Sequence, residues 1–276
     1  SSLKGLFIDN NKIYISYTAE IKNDCWNTSV IYGDIDYKYI NFKKLFEGKK
    51  CIEFDSVPAF EFHQSGGRIV KFDDNHILLT VGDYRDRTLA QKKDSINGKT
   101  LKININNGDF EFISMGHRTQ QGMYFDSDNG LILQTEHGPK GGDEINIIEV
   151  DKIKNKKYLN YGWPISSYGE HYRGKKGDEI YKKFPLHKSH SKFGFIEPLK
   201  YFDPSIGISE IVKLKGNKYV IGSMRDKSLY FFELKNKKVI NIKRVSVGER
   251  VRDMRFENNK LYLFLENTAS LGIIEM

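Results

Sequence analysis

The sequence predicts an all-β chain built as a β-propeller. Two observations lead there: a hairpin pattern that returns five times, and the lack of any long stretch with helical periodicity. Short runs such as IYISY and LYLFL are rich in β-formers, so helix is expected to be scarce.

The first hairpin is Gly5 to Ala19, an apolar run, an Asp-Asn-Asn turn and a second apolar run. The same order returns at Arg68 to Asp83, Gly122 to Gly138, Ile211 to Asp226 and Met254 to Asn267. The turns carry Asn, Asp or Gly, residues that accept the φ > 0 conformations of tight hairpins. A propeller blade takes about 40–50 residues and tolerates insertions, which suits hairpins spaced roughly 40–90 residues apart. An irregular sandwich with unrelated hairpins is the alternative, and the likeness of the five turns argues against it. The expected organisation is a single propeller domain over residues 1–276, with about five blades visible.

The repeat also places polar residues. His63 stands 11 positions before the turn residue Asp74, Arg118 stands 10 before Asp128, and Arg250 stands 8 before Asn258. Equivalent blades would bring these residues in at the same end, where first strands line the channel. His63, Arg118, Arg250 and Arg252 are therefore expected around one mouth of that channel. Arginines with an imidazole suit an anionic ligand, because guanidinium pairs bidentately with carboxylate. His117 is a possible base by position, but it and His137 are expected to be structural.

Composition excludes several classes. The net charge of +8 comes from Lys and Arg scattered along the chain, which reads as a basic surface rather than a nucleic-acid stripe. No apolar run reaches the roughly 18 residues needed to span a bilayer. Cys25 and Cys51 lack metal-type spacing, and whether they pair stays open. The chain shows no initiator Met and no signal peptide.

Beyond the hairpins, HQSGG, LAQ with NGKTLKI, SMGHRTQQGM, EHGPKGGDEIN and NYGWP occur in that order. This series resembles the soluble sugar dehydrogenases that use pyrroloquinoline quinone (PQQ), the glucose/sorbosone and aldose sugar dehydrogenases. The resemblance runs from about Gly5 to the C-terminus, and its central block is the most specific part. It implies a six-bladed propeller with the quinone over the channel, oxidation of the anomeric carbon of an aldose to a lactone, and an external electron acceptor. It also implies a periplasmic or secreted location.

By position, the resemblance implies that His63 removes the proton of the anomeric hydroxyl and that Arg118 stands beside the reactive quinone carbonyl. Arg250 and Arg252 would hold the cofactor carboxylates, and Arg225 stands where a lysine is usual. Thr119 replaces an asparagine whose amide contacts the cofactor. The carbonyls of Gly138 and Pro139 would bind the calcium ion that bridges to the cofactor. Glu144, and Tyr161 through its carbonyl, would bind a second, structural calcium. With five hairpins against six blades, a blade or part of one is expected to precede Ser1. A propeller that binds a partner without catalysing is the second reading, and a channel-calcium hydrolase a weaker third. Neither the sugar, the acceptor nor the oligomeric state can be read from the sequence.

Overall fold

A computed structural model describes residues 2–54, 63–153 and 158–276. The strands in chain order are β1 (Ser2–Asp9), β2 (Lys12–Lys22), β3 (Cys25–Asp34), β4 (Lys43–Glu47), β5 (Ile52–Glu53), β6 (Gly66–Asp73), β7 (His76–Val81), β8 (Lys99–Asn104) and β9 (Phe110–Met115). They continue as β10 (Gln120–Asp126), β11 (Leu131–Glu136), β12 (Asp143–Glu149), β13 (Leu159–Asn160), β14 (Lys200–Phe202) and β15 (Ile208–Lys213). The last six are β16 (Lys218–Ser223), β17 (Ser228–Lys235), β18 (Lys238–Ser246), β19 (Val251–Glu257), β20 (Lys260–Leu265) and β21 (Ser270–Glu275). Among the described residues, two α-helices, Val150–Ile153 and Glu179–Lys183, are a single turn or little more.

The fold is all-β, and its sheets are propeller blades. Chain contacts group them into two compact units. The first unit, Ser1–Gln120 with Lys152–Pro164, holds β1-β2-β3-β4, with β5 on β3, and β6 to β9, with β13 added in parallel to β9. The second, Gln121–Asp151 with Ile165–Met276, holds β10-β11-β12-β14, β15 to β18, and β19 to β21. Each of the five hairpins read from the sequence is the opening pair of one sheet. Asn10, Asn11, Asn258 and Asn259 do take positive φ in the turns, as does Gly130.

Apolar alternation fixes the register by placing one side-chain set in the core. In the first unit Leu79, Leu101, Ile103 and Val81 are fully buried around Tyr84. In the second, Leu133, Ile145, Ile208 and Ile221 form one core, and Val220, Leu229, Val251 and Leu261 another. The lysine-rich strand β18 is the exposed edge of its sheet, as its charge suggests.

Irregular register marks the opening strands. Bulges fall at Leu3/Gly5, Gly66/Ile69, Ile208/Ile211 and Val251/Asp253, near the start of each strand. Bulges break the ladder and re-aim side chains, and they gather next to functional sites. His63 stands three residues, and Arg250 one residue, ahead of two of these bulged strands.

Cys25 and Cys51 form a disulfide, with a Cα–Cα distance of 5.3 Å. It ties the start of β3 to the residue before β5 and closes a separation of 26 residues. Replacing Cys25 with serine is expected to lower stability by about 3–4 kcal/mol, from the lost constraint on the unfolded chain. Urea unfolding without reductant, against wild type, measures it; an unchanged midpoint would contradict the expectation.

Candidate active site

His63, Arg118, Thr119 and Tyr161 lie in the first unit; Arg225, Arg250, Arg252, Gly138, Pro139 and Glu144 lie in the second. Each group is built separately by its own strands.

In the first unit the chain reaches His63, an exposed side chain, just before β6. Gln64 follows with φ of 57°. The end of β7 runs beside it: Gly82 N–H donates to Ser65 O at 2.8 Å, and Tyr84 N–H to Gln64 O at 3.1 Å. Tyr84 and Arg85 both take left-handed backbone, with φ of 51° and 69°. This kink sends the two side chains in different directions. The Tyr84 ring enters the core, where its hydroxyl meets Thr18 and Thr28 at 2.9 and 2.8 Å. Arg85 turns to His63, with Nη2 3.3 Å from Nδ1. Guanidinium only donates, so in this contact Nδ1 is the acceptor nitrogen of a neutral ring.

Asp83 is the centre beneath them. It is fully buried, accepts from Trp163 Nε1 at 2.8 Å and from Arg85 N–H at 2.9 Å. Its own N–H donates to Arg118 O at 2.8 Å. With the Gln64 amide oriented to satisfy both neighbours, it donates to Asp83 Oδ1 and accepts from Arg118 Nη2, each at 2.9 Å. The Arg118 guanidinium also lies 5.5 Å from the Trp163 ring, and that of Arg87 lies 5.2 Å from it. Burial pushes the Asp83 carboxyl up to about 6; the charge of Arg118 and the donors from Arg85 and Trp163 limit the rise. The structure thus brings His63 and Arg118 into one hydrogen-bonded neighbourhood through Gln64 and Asp83.

Thr119 is buried. His117 is fully buried, with Nε2 2.8 Å from Ser114 Oγ and its ring stacked on Tyr161. It packs as a structural residue. Tyr161 N–H donates to Met115 O at 2.9 Å. Lys99, of the NGK motif, is almost fully buried and donates to the carbonyls of Leu89, Ala90 and Asn97 at 2.8–3.0 Å. It pins the loop that follows Asp83, and burial pushes its ammonium down to about 7.

In the second unit, Arg250 Nε donates to Glu266 Oε2 at 2.8 Å and Arg252 Nη2 to Glu266 Oε1 at 2.7 Å. One carboxylate spans both guanidiniums. Arg225 is exposed, and its N–H donates to Ile206 O at 3.0 Å; the preceding Met224 places its sulfur 3.7 Å from Arg250 Nη2.

The Gly138–Pro139 turn is held by Asp143, which accepts from Gly138 N–H at 3.1 Å and from Gly207 and Ile208 N–H at 2.7 and 3.1 Å. Gly138 has no room for a side chain: a Cβ would stand 2.3 Å from the carbonyl oxygens of Gly141 and Gly142. Pro139 O accepts from the Tyr172 hydroxyl at 3.3 Å. His137 Nε2 is 2.6 Å from Ile208 O.

Glu144 is buried opposite Glu136 in the β11–β12 register. Asn146 Nδ2 donates to both carboxylates, at 3.3 and 3.4 Å, and His190 Nε2 lies 3.5 Å from Glu144. Burial, and then the neighbouring Glu136, push the Glu144 carboxyl well above its ordinary range. The Asn146 Oδ1 atom is buried without a hydrogen-bond partner. Facing carboxylates and an unsatisfied amide oxygen are the hard donors that calcium takes, so these residues fit such an ion. Among the described residues, however, no three His, Cys, Asp or Glu side chains form a ready metal cluster.

Sequence reasoning passed over Asp83, Arg85, Lys99 and Glu266. Glu266 had a readable signal: it lies seven residues after Asn259, as Arg250 lies eight before Asn258, so hairpin pairing sets them opposite each other. Asp83 and Arg85 had none, since their contacts come from a backbone kink.

Comparison with known proteins agrees with this architecture. The chain is 26% identical over 293 residues to the aldose sugar dehydrogenase YliI of Escherichia coli K12, covering 96% of this chain and 72% of that protein. A crystal structure of a glucose dehydrogenase matches with a TM-score of 0.79 at 25% identity, over 98% of this chain and 81% of that one. The PQQ-bound form of an aldose sugar dehydrogenase from Streptomyces coelicolor shares the fold, with a TM-score of 0.69 at 21% identity, over 95% and 71% of the two chains. The family model for glucose/sorbosone dehydrogenases matches residues 2–274, and the chain belongs to that family.

Proposed function

We propose that this chain is a PQQ-dependent aldose dehydrogenase that converts the anomeric carbon to a lactone and passes electrons to an external acceptor. The observation that carries the reading is the Arg250–Arg252 pair, which already grips a carboxylate, Glu266, through both guanidiniums. Such a pair is chemically suited to the carboxylates of the quinone. PQQ, when bound, would supply the electron-accepting carbonyl. Arg118, oriented by Gln64 and Asp83, would place positive charge where negative charge develops. His63 would take the hydroxyl proton. In the observed contact its acceptor nitrogen, Nδ1, faces Arg85, so the sugar hydroxyl must displace that guanidinium.

Calcium belongs to the same proposal. The Gly138 and Pro139 carbonyls would hold the ion beside the cofactor, and Glu144 with the Tyr161 carbonyl the second. We also read residues 1–276 as one propeller domain. The disulfide supports a periplasmic or secreted location, because such bonds persist in oxidising compartments. No helix among the described residues is long and apolar enough to cross a membrane.

The test is a titration of metal-stripped protein with PQQ and calcium, followed by absorbance, then an aldose panel with an artificial electron acceptor. Saturable binding with sugar-dependent dye reduction supports the proposal. Folded protein that binds no quinone rejects it in favour of a propeller that only binds a partner. The buried Thr119, where an amide is usual, is the observation on that side. Arg250→Ala is expected to weaken quinone binding by about 2 kcal/mol, the size of a charged hydrogen bond. An unchanged titration would remove Arg250 from the site.

A further inference from the structure

We propose that Glu266 is a positioning residue: it fixes the Arg250–Arg252 pair in the arrangement that receives the carboxylates of an acidic cofactor. The inference rests on the reading that this pair binds the quinone.

The clamp is built from the backbone up. Glu266 N–H donates to Arg250 O at 3.0 Å, which sets the two residues opposite each other at the end of the β19–β20 ladder. Register then passes from Val251↔Leu265 to Asp253↔Phe264, so Arg252 is the extra residue of a bulge. The bulge takes Arg252 out of the ladder while Val251 stays fully buried in the core. Both arginine side chains then reach one carboxylate, each oxygen taking a single N–H.

Two guanidiniums held together repel each other, and an anion between them offsets that repulsion. Partial burial alone would raise the Glu266 carboxyl; the hydrogen bonds from Arg250 and Arg252 outweigh it and hold it below its ordinary range. The two guanidiniums thus favour the ionised carboxylate that they grip.

The contact geometry distinguishes a support from a competitor. A competing carboxylate would pair bidentately, taking two parallel N–H groups of one guanidinium. Glu266 takes only Nε of Arg250, and Nη2 faces the Met224 sulfur at 3.7 Å, a weak acceptor that a second carboxylate can displace. From Arg252 it takes a single Nη2 donor out of five N–H groups. The three side chains are 35–48% exposed, within reach of a ligand from solvent. Rigid donors cost less ordering on binding, so the support should appear as affinity.

The experiment is a PQQ titration, followed by absorbance, of wild type, Glu266→Gln, Glu266→Asp and Arg250→Ala, each checked for folding by circular dichroism. Glutamine keeps the size of Glu266 but offers one acceptor oxygen in place of two. Glu266→Gln is expected to bind PQQ about tenfold more weakly, the loss of one charged hydrogen bond, with lost turnover recovered at saturating quinone. Glu266→Asp, which keeps both oxygens, is expected to fall between it and wild type. If Glu266→Gln binds as tightly as wild type or tighter while Arg250→Ala binds weakly, the positioning role is overturned and the cofactor reading stands. If Arg250→Ala also binds like wild type, or wild type binds no quinone, the reading of the pair fails and this inference falls with it.

Discussion

Replacing His63 with alanine is expected to lower turnover by roughly 10²–10⁴-fold at saturating quinone, the usual contribution of a positioned general base. Quinone binding should be kept, because the residues proposed for the cofactor carboxylates are Arg250 and Arg252. As a neutral imidazole, His63 has a ring nitrogen able to accept the hydroxyl proton. The side chain is exposed and is met at Nδ1 by Arg85, a contact that a substrate hydroxyl can replace. The measurement is sugar-dependent dye reduction beside a quinone titration of the same preparation. Full turnover in the variant would remove His63 as the base. Loss of quinone binding together with turnover would move it to the binding machinery instead.

Asp83→Ala is expected to destabilise the chain by about 3–5 kcal/mol, the cost of removing one partner of a buried charge pair. The buried Arg118 would lose its counter-charge, and Trp163 Nε1 and Arg85 N–H would lose their acceptor. Urea denaturation at pH 7 gives the difference, and a change below about 1 kcal/mol, within the range of an ordinary substitution, would refute a central role. The pH dependence gives an independent check. The Asp83 carboxyl is raised from 3.8 to about 6 in the folded chain, first by burial. A raised folded value means that the folded state holds the proton more tightly. The stabilisation is fully present below the unfolded value of about 4 and is lost as pH rises through 6. Two units correspond to about 3 kcal/mol as an upper figure. Asp83→Asn, which cannot ionise, is expected to flatten that part of the pH–stability profile.

These two residues show how unevenly the site was legible. His63 could be placed from the sequence because it precedes a recognisable hairpin in a repeated pattern. Asp83 closes the same repeat, at the end of β7, yet its role depends on Trp163, eighty positions away.

The sequence by itself determined the class of fold and the opening hairpin of every sheet. Those are local properties: apolar alternation with period two, and turn residues that accept positive φ. It also brought out the family, through motifs that stand in order along the chain. The tertiary structure decided the rest: the pairing of Cys25 with Cys51, the turn of Arg85 toward His63, the burial of Lys99 against three carbonyls, and the closure of Arg250 and Arg252 on Glu266. Each depends on a kink, a bulge or a contact between distant segments. Such placements follow from which groups can be buried together with their hydrogen bonds satisfied, and that balance is settled only when the segments pack.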